Sequence, residues 1–555
     1  MRLNGAQILM EVFKELKVDT VFGYPGGCVL NIYDELYKSS SWLRHVITCH
    51  EQGASHAADG YARATGKTGV VIATSGPGAT NLVTGIATAH LDSVPMVAIT
   101  GNVACNAIGR DSFQEVDIKG ITMPITKHNF MVKDVTRLAD TMREAFSIAS
   151  SGRPGPVLVD IPKDVQIAEC EYVPGAPVEA AKAKQPDSES VAKAAELIAS
   201  SARPFIYAGG GVVIAEAGAE LVKLAETIGA PIGASMMGLS AIDHDHPLFL
   251  GMTGMHGRYA ASQAMDQSDL IIAVGVRFSD RATGDKAAFS KGRKILHIDI
   301  DPAEIGKNIP AYVAMVADVK EALTALSACG LVKKDTAWIT EVEKLNTAPD
   351  NHLKMNENRL NPQMVLRALN SRMASDSPVA TDVGQHQMWT AQYYSFRKPR
   401  TFITSGGLGT MGFGMGAAIG ACIGTGLKKT VMVTSDGSFH MNMNELATAV
   451  ANRLPIIVLV LNNSVLGMVR QWQTMFFGRR YSNTTMNRAT DFCLLAQAFG
   501  AKGLRLDDKD KIDSVLDKAF QLPGPVVIDV RIHRDEKVLP MIPPGGTIRD
   551  MIVRG

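Results

Sequence analysis

Short apolar runs alternate with segments of helical spacing along most of the chain, and nearly every run ends in glycine or a polar residue. In the first third, the apolar runs are 20–23, 46–48, 69–73, 96–100 and 157–160. Each run is typical of a buried strand, and the segments between them repeat apolar residues three and four positions apart, as helices do. Strand and helix in alternation predict a parallel sheet with helices on both faces.

The same alternation returns twice further along the chain. The later apolar runs are 205–208, 270–274, 294–300, 379–383, 431–434, 456–461 and 525–530. A stretch rich in proline, alanine and lysine at 173–186 and a polar stretch at 333–361 separate the three patterns, as linkers do. We therefore predict an α/β protein with three doubly wound parallel-sheet domains, over residues 1–172, 187–332 and 362–555. The first and third patterns are alike in size and alternation.

Composition narrows the class of protein. The 555 residues carry a formal net charge of +1, which argues against nucleic acid or an anionic membrane as a partner. Seven scattered cysteines without a C-x-x-C pair predict reduced thiols rather than disulfides or a zinc site. The N-terminal residues lack the apolar core of a secretory signal, and residues 412–426 are too weakly apolar to span a membrane. We expect a cytoplasmic protein.

Asp436 and Asn463 form the strongest candidate site. Each follows an apolar run, 431–434 or 456–461, and a helix-like segment separates the two runs. Neighbouring parallel strands would bring both side chains to the carboxyl edge of one sheet. Carboxylate and amide oxygens suit a hard ion such as Mg²⁺, which also holds ligand phosphates, so we predict a metal–diphosphate site. The alternative is a turn aspartate near a helix-capping asparagine.

Glu51 is the second candidate, because it stands at the end of the predicted strand around 46–48, between His50 and Gln52. It either stabilises the N-terminus of a helix or exchanges a proton with a ring nitrogen of a cofactor. Lys163 and Arg277 would ordinarily be solvated charges, and Trp472 is equally compatible with a core or a surface patch.

A glycine cluster at 412–417 fits the pattern G-x-G-x-x-A, and Asp436 lies about twenty residues further along, as in a dinucleotide fingerprint. A nicotinamide-dependent dehydrogenase would use these residues to hold its cofactor. Glycines at this density are also typical of a helix packed closely on its neighbours. On the sequence alone, both interpretations stay open.

A set of longer motifs points to one family. They are SDG at 435–437 followed by NN at 462–463, HEQGA at 50–54, TSGPGATN at 74–81, FQEVD at 113–117, RPGPVLVDIPKD at 153–164, GQHQ at 384–387, GLGTMGFG at 407–414 and GMVRQWQ at 467–473. Through these motifs the chain resembles, essentially from end to end, the acetolactate synthase (acetohydroxyacid synthase) family of thiamine-diphosphate enzymes.

The resemblance implies a transferase of branched-chain amino acid biosynthesis. Such an enzyme decarboxylates pyruvate on thiamine diphosphate and joins the two-carbon unit to a second pyruvate or to 2-oxobutyrate. It also uses Mg²⁺ and FAD, with a pyrimidine-binding first domain, an FAD-binding central domain and a diphosphate-binding third domain. The active site would be shared between subunits of a homodimer or homotetramer, and a small regulatory subunit is a further possible partner. A pyruvate oxidase or another carboligase of the superfamily is the nearest alternative.

The resemblance also assigns roles to residues. The Mg²⁺ ligands would be Asp436, Asn463 and the carbonyl of Val465. Thiamine diphosphate would contact Glu51, Gln385, His386, Gly409, Met411, Gly437, Ser438 and Met468. Within that set, Glu51 would relay a proton and Met411 would prop the bent cofactor.

FAD and the substrates have their own sets of implied residues. FAD would contact Arg153, Gly209, Gly210, Gly211, Gly275, Arg281, Asp299 and Asp318. The second 2-oxoacid would be bound by Arg277 and Trp472. The approach to the reacting carbon would be lined by Gly27, Phe113, Gln114 and Lys163.

Two positions depart from the family pattern. Ser435 stands where the family has the first glycine of G-D-G, and we expect its Cβ to crowd the diphosphate or to restrict the backbone. A non-catalytic homologue is the alternative that this serine leaves open. Cys28 stands at an access-loop position that is often alanine, a change with no clear consequence.

Overall fold

The structure is a computed structural model in which residues 1–175, 183–333 and 337–554 are described. Three six-stranded parallel sheets follow one another along the chain, with helices between the strands. This confirms the predicted α/β class with three doubly wound sheets. The predicted linkers at 173–186 and 333–361 fall partly outside the described residues, and the domain boundaries stay predictions.

The first sheet has the strand order β3-β2-β4-β5-β7-β6, and a separate antiparallel pair joins β1 to β8. The strands are β1 Arg2–Asn4, β2 Thr20–Gly23, β3 Arg44–Ile47, β4 Gly69–Ala73, β5 Met96–Asn102, β6 His128–Met131, β7 Pro156–Pro162 and β8 Glu169–Glu171. The helices are α1 Gly5–Glu15, α2 Leu30–Lys38, α3 Glu51–Thr65, α4 Pro77–Thr80, α5 Val83–Leu91, α6 Ile118–Thr122, α7 Leu138–Ser150 and α8 Lys163–Ile167. Periodicity missed β6, because this edge strand is short and contains polar residues.

The central sheet has the order β11-β10-β9-β12-β13-β14. Its strands are β9 Pro204–Ala208, β10 Ile232–Ala234, β11 Phe249–Met252, β12 Leu270–Val274, β13 Lys294–Asp299 and β14 Val313–Val316. The helices are α9 Ser188–Ser200, α10 Gly210–Ile214, α11 Gly218–Ile228, α12 Tyr259–Gln267, α13 Asp280–Thr283, α14 Lys286–Ser290, α15 Val319–Ser327 and α16 Ala337–Thr347. Three of the four inner strands, β9, β12 and β13, carry apolar runs long enough to be predicted, whereas the inner strand β10 is too short.

The third sheet repeats the order of the first, as β16-β15-β17-β18-β20-β19. Its strands are β15 Val379–Thr381, β16 Phe402–Ile403, β17 Thr430–Ser435, β18 Ile456–Asn462, β19 Lys502–Leu506 and β20 Val526–Arg531. The helices are α17 Pro362–Asn370, α18 Gln385–Tyr393, α19 Phe413–Gly424, α20 Asp436–Asn442, α21 Glu445–Ala451, α22 Gly467–Phe476, α23 Phe492–Ala498 and α24 Ile512–Gln521. The switch between β15 and β17 places the ends of these strands around a crevice.

Helices α3 and α19 pack against each other through small residues and join the first sheet to the third. A Cβ added at Gly416 would lie 2.6 Å from the carbonyl oxygen of Gly53, and one at Gly420 would overlap the carbonyl of Ala57. Gly416, within the cluster, and Gly420, just beyond it, therefore allow close backbone approach between the helices. The pattern also does not follow a strand directly, since β16 ends at Ile403. Both facts favour the packing interpretation over a dinucleotide site.

None of the helices in the described ranges is both long and apolar enough to cross a membrane.

Candidate active site

Asp436 lies at the carboxyl edge of the third sheet, immediately after β17, and its residue is only 5% exposed. Its Oδ1 has no hydrogen-bond partner among the described residues. Burial raises the pKa of this carboxyl to about 6, although backbone N–H groups, first that of Asn463, act in the opposite direction. A buried carboxylate oxygen without a partner is costly, and a cation would satisfy it.

Asn463 faces the same crevice from the end of β18, which pairs in parallel with β17. Its Oδ1 accepts a 3.2 Å hydrogen bond from the N–H of Val465, which turns the following chain back towards the asparagine. The intervening Ser464 has a φ of 58°, in the left-handed region. This turn brings Asn463 and buried Val465, two of the predicted metal ligands, to one place beside the predicted ligand Asp436.

Gln385, the first residue of α18, is held in place by several contacts. Its Nε2 donates to Gln471 Oε1 at 2.9 Å and to the carbonyl of Glu536 at 2.8 Å, and its Oε1 accepts from Asn463 Nδ2 at 3.4 Å. A Cβ at Gly467 would overlap Gln385 Oε1 and lie 2.8 Å from Asn463 Nδ2. Gln471 and Gly467 were missed as individual residues, although the GMVRQWQ motif contains both.

His386 is buried beside Gln385, and its Nε2 has no partner among the described residues. Burial lowers the pKa of this imidazole to about 3, so the ring is neutral near pH 7. A neutral ring nitrogen donates or accepts one hydrogen bond according to its tautomer. Predicted contact Met468 lies half-buried near the start of α22.

The backbone at Ser435 differs from the expectation that the Cβ of this residue would restrict it. Ser435 has a φ of −122°, an extended conformation open to any residue, so its Cβ does not restrict the backbone. Its side chain instead caps α20, accepting from Ser438 N at 3.3 Å. Ser438 Oγ in turn accepts from Gly412 N at 3.4 Å, and Gly437 lies under Leu466, whose Cδ2 would be 2.9 Å from an added Cβ.

The loop before α19 carries Gly409 and Met411 and is anchored by the first domain. Gly409 has a φ of +71°, which favours glycine at a turn with open space around it. Thr88 and Thr410 share a 2.8 Å hydrogen bond between their hydroxyls. Asp92 accepts from the N–H groups at the start of the loop, those of Gly406 at 3.0 Å and Gly407 at 2.7 Å.

A buried ion-pair cluster supports this anchor. Arg63 of α3 donates to Asp59 at 2.5 Å, to Asp92 at 3.0 Å and to the carbonyl of Thr404 at 2.9 Å. Both carboxylate side chains are fully buried, and the arginine side chain is 8% exposed. Sequence reasoning missed Thr88, Asp92 and Arg63, because they act on the loop only through contacts with distant residues.

Glu51 is the first residue of α3, at a strand end of the first sheet, and is 9% exposed. Asn81 Nδ2 donates to its Oε2 at 2.9 Å. A Cβ at Gly78 would lie 3.2 Å from the other oxygen, Oε1. No hydrogen bond or ion pair within the described ranges joins Glu51 to Asp436 or to Asn463. Glu51 and Asp436 lie in the first and third domains respectively.

The predicted substrate-access residues also lie in the first domain. Gly27 is exposed with no atom near an added Cβ, and the Phe113 side chain is 87% exposed. Gln114 has a φ of 59°, and its backbone packs on Gly76. Lys163 is exposed at the start of α8.

Arg277 lies beside the first domain, where the charges of Arg153 and Asp92 act on its guanidinium, whereas Trp472 lies beside Arg281 of the central domain. Burial, with the like charge of Arg153, lowers the pKa of Arg277, and no ion pair within the described ranges involves it. Trp472 Nε1 is buried without a partner. The guanidinium of Arg281 lies 5.7 Å from the centroid of the Trp472 ring, a cation–π distance.

Three of the predicted FAD glycines lie at the ends of the adjacent strands β9 and β12. A Cβ at Gly211 would lie 2.7 Å from Gly275 Cα, and one at Gly209 would overlap the Gly275 carbonyl. Gly275 has a φ of +59°. Gly210 is less crowded, with Met237 Cβ 3.2 Å from an added Cβ. Backbones that approach this closely at adjacent strand ends are typical of a dinucleotide crevice.

Three of the polar residues predicted to contact FAD differ in their environments. Arg153 is paired with Glu304 at 2.6 Å and with Asp301 at 3.4 Å. Asp299 is buried at the end of β13, and burial raises its pKa to about 6. Asp318 caps α15, accepting from Lys320 N at 2.8 Å and from Glu321 N at 3.3 Å.

Three family models match the chain in succession. The thiamine pyrophosphate enzyme N-terminal TPP binding domain matches residues 3–121, and the central domain matches residues 191–326. The C-terminal TPP binding domain matches residues 382–530, which contain Asp436 and Asn463.

Whole-length relatives agree with these models. A probable acetolactate synthase large subunit of Methanocaldococcus jannaschii is 44% identical, over 99% of this chain and 95% of the relative. The acetolactate synthase large subunit of Parasynechococcus marenigrum is 46% identical, over 99% and 91%. The acetolactate synthase isozyme 2 large subunit of Escherichia coli is 44% identical, over 99% of both chains.

Proposed function

The chain belongs to the thiamine pyrophosphate enzymes, in the family of acetolactate synthase large subunits, and on this premise we propose the reaction and the roles of its residues. The protein is an acetolactate synthase that uses thiamine diphosphate. Two molecules of pyruvate give 2-acetolactate and carbon dioxide, and pyruvate with 2-oxobutyrate gives 2-aceto-2-hydroxybutyrate. The observation that carries the site assignment is the unpartnered oxygen of buried Asp436 beside Asn463.

The third domain fits a magnesium–diphosphate group. Asp436 and Asn463, with the carbonyl of Val465, offer the hard oxygen donors that Mg²⁺ prefers. The open turn at Gly409 leaves space for phosphate oxygens, and the buried Nε2 of His386, which has no partner among the described residues, is free to contact the bound group. When bound, thiamine diphosphate supplies a carbon nucleophile and an electron sink for decarboxylation. The protein must hold this group and exclude water.

Glu51 holds the proton for this chemistry. Its carboxyl lies within the first domain with one oxygen bound by Asn81, which leaves Oε1 facing Gly78. A proton on that oxygen can be exchanged with a ring nitrogen placed beside it, the general acid–base role of a positioned carboxyl. Asn81 orients the group rather than reacting.

Arg277 and Trp472 bind the acceptor 2-oxoacid. A half-buried guanidinium that forms no ion pair among the described residues is suited to the carboxylate of a substrate, which it can bind through two parallel hydrogen bonds. The indole of Trp472 offers an apolar face to the alkyl group that distinguishes 2-oxobutyrate from pyruvate. Gly27, Phe113, Gln114 and Lys163 line the approach from the first domain.

A second copy of the chain completes the site. Among the described residues, no hydrogen bond or ion pair joins Glu51 to Asp436 or Asn463, and Phe113 is exposed. We therefore assign the working site to the first domain of one subunit and the third domain of another, in a homodimer or homotetramer. The relatives are named large subunits, so a small subunit is a further proposed partner.

The central domain is proposed to bind FAD. The close backbones at Gly209, Gly211 and Gly275 fit a dinucleotide, and Arg153, Gly210, Arg281, Asp299 and Asp318 complete the proposed contacts. The buried carboxyl of Asp299 suits a ribose hydroxyl, as an acid at a strand end does in dinucleotide folds.

The test is a reconstitution. Purified protein stripped of cofactors is incubated with pyruvate, Mg²⁺ and FAD, with and without thiamine diphosphate, and the acidified product is assayed as acetoin. Acetoin that depends on thiamine diphosphate is the expected result. Product formed equally without it would contradict the mechanism, and acetyl phosphate with peroxide in place of acetoin would indicate a pyruvate oxidase.

A further inference from the structure

A cavity of about 310 Å³ lies between the central and third domains, at the C-terminal end of α18. Its wall includes β11, the start of α12, the exposed face of α17 and the end of α18. The volume falls at the lower end of the range for small-molecule sites. None of the residues assigned above to thiamine diphosphate, FAD or substrate lines it.

Arg258 extends into this cavity without an acidic partner. Its guanidinium makes one hydrogen bond within the described ranges, a 3.4 Å contact to the carbonyl of Asn351, and no ion pair there involves it. The side chain is half-buried and packs against Gly251. Burying a charged group costs free energy unless the group is paired. A bound anion would therefore stabilise this guanidinium.

A second guanidinium strengthens the positive charge. Arg367 lines the same cavity, and no ion pair within the described ranges involves it either. Burial, together with the like charge of Arg367, lowers the pKa of Arg258. The cavity has one carboxylate, Asp350, whose nearest cation is Arg554 at 3.8 Å. The net local charge is therefore positive.

Two amide oxygens in the cavity wall lack a hydrogen-bond donor among the described residues. Gln392 is 9% exposed; its Nε2 donates to the carbonyl of His256 at 2.9 Å, but its Oε1 has no partner among the described residues. Asn370 Oδ1 is likewise buried and unpartnered. Buried amide oxygens are rarely left unsatisfied. An occupant with both an anionic group and a donor would satisfy the arginines and the amides together.

We propose that this cavity binds a small organic oxyanion, a carboxylate or phosphate ester that also carries a hydroxyl or amine donor. The guanidinium of Arg258 takes two oxygens of the anion, a geometry that suits both carboxylate and phosphate, and Arg367 adds a second charge. Gln392 and Asn370 accept from the donor group. Because Gln392 lies in the last turn of α18, the helix that begins at Gln385, one helix connects this site to the proposed diphosphate site.

The test is isothermal titration calorimetry on the full chain with three probes. Inorganic phosphate, adenosine monophosphate and L-threonine separate the free anion, the phosphate ester and the carboxylate. We expect saturable binding of at least one probe in the millimolar range or tighter. Arg258→Gln and, independently, Arg367→Gln should each weaken it about 10-fold or more, the usual cost of a lost charge-assisted hydrogen bond. Arg367 is exposed, so its variant should fold normally.

Arg372→Gln provides the matched control. Arg372 lies just beyond the same helix α17 but is paired with Asp513 and Asp517 outside the cavity, so its loss should leave binding unchanged. Two results would overturn the proposal: no binding of any probe at several millimolar, or binding of equal strength in the wild type and in whichever Arg258 and Arg367 variants fold. Neither result depends on catalytic activity.

Discussion

The first and third domains share one strand order but carry different chemistry at their strand ends. In the first, Asn102 at the end of β5 donates to buried Asp160 on β7 at 2.6 Å. In the third, Asn462 at the end of β18 donates to buried Asp529 on β20 at 2.8 Å. In each sheet the aspartate lies two residues before the residue paired with the asparagine. The two sheets can therefore be aligned residue by residue.

That alignment shows which side chains differ at the strand ends of the two sheets. Ala73 and Thr434 pair with equivalent residues of β5 and β18, so Ser75 corresponds to Asp436. Val103 likewise corresponds to Asn463. The first domain has a hydroxyl and an alkyl group where the third has two oxygen donors for a metal. The shared topology provides a crevice in both domains, and the side chains at its edge decide whether that crevice suits a cation.

The largest effect is expected from Glu51→Gln, which removes the proton carrier of the first domain and leaves the third intact. A lost general acid–base group costs about 100- to 10,000-fold in rate. The measurement is kcat for acetolactate formation, alongside the Kd of thiamine diphosphate. We expect kcat to fall and the Kd to change little. Full activity in this variant would remove the proton-relay role.

Arg63→Met tests the contact between the two domains. It leaves two buried carboxylates, Asp59 and Asp92, without their cation, and breaking a buried pair in this way costs about 3–5 kcal/mol. Denaturant unfolding should show the loss. Lys67→Met is the control, because its pairing with Asp19 is exposed and should contribute less than about 1 kcal/mol. Equal losses in the two variants would contradict an anchoring role for Arg63.

Asp436→Asn tests the proposed metal site of the third domain. We expect an activity loss of about 100-fold or more, since even groups behind metal ligands cost about 10- to 100-fold, together with a higher Mg²⁺ requirement in titrations. Ser75→Ala, at the equivalent position of the first domain, is the matched control and should leave the Mg²⁺ requirement unchanged. A normal Mg²⁺ requirement in Asp436→Asn would exclude this residue as a ligand.

The pH dependence of stability should reveal the raised pKa of buried Asp160. Burial raises the pKa of Asp160 from 3.8 to about 6. The folded state therefore favours the protonated form, and this contribution is fully present below about pH 4 and lost as the pH rises through 6. A shift of about two pKa units corresponds to about 3 kcal/mol. The difference in unfolding free energy between wild type and Asp160→Asn should change across this window, and a constant difference would contradict the shift.

The smallest effect is expected from Ser435→Gly, which restores the family glycine. Its φ needs no glycine, and replacing a capping serine by glycine costs only a few tenths of a kcal/mol. Thermal unfolding should therefore change little. If the Kd of thiamine diphosphate also stays within about twofold, the serine does not crowd the diphosphate. Much tighter binding in the variant would show that it does.

Much of the fold was predictable because the signals are local. Most inner strands are continuous apolar runs, and these were located to within a residue or two, as at 69–73 and 456–461, whereas the three-residue inner strand β10 was missed. The edge strands β6 and β19 were missed, because strands with one free edge carry polar residues and lose the pattern. The expectation of a restricted backbone at Ser435 was wrong, because φ at that residue depends on how β17 enters α20.

The candidate site, like the fold, was predictable from local sequence only in part. The sequence by itself determined the family, the parallel sheets and the residues with the chemistry, such as Asp436 and Glu51, because motifs and periodicity are properties of neighbouring residues. Only the tertiary structure decided that Asp92 holds the loop of Gly409 and that the glycines of α19 pack on α3. These facts depend on contacts between residues hundreds of positions apart, which no local pattern records.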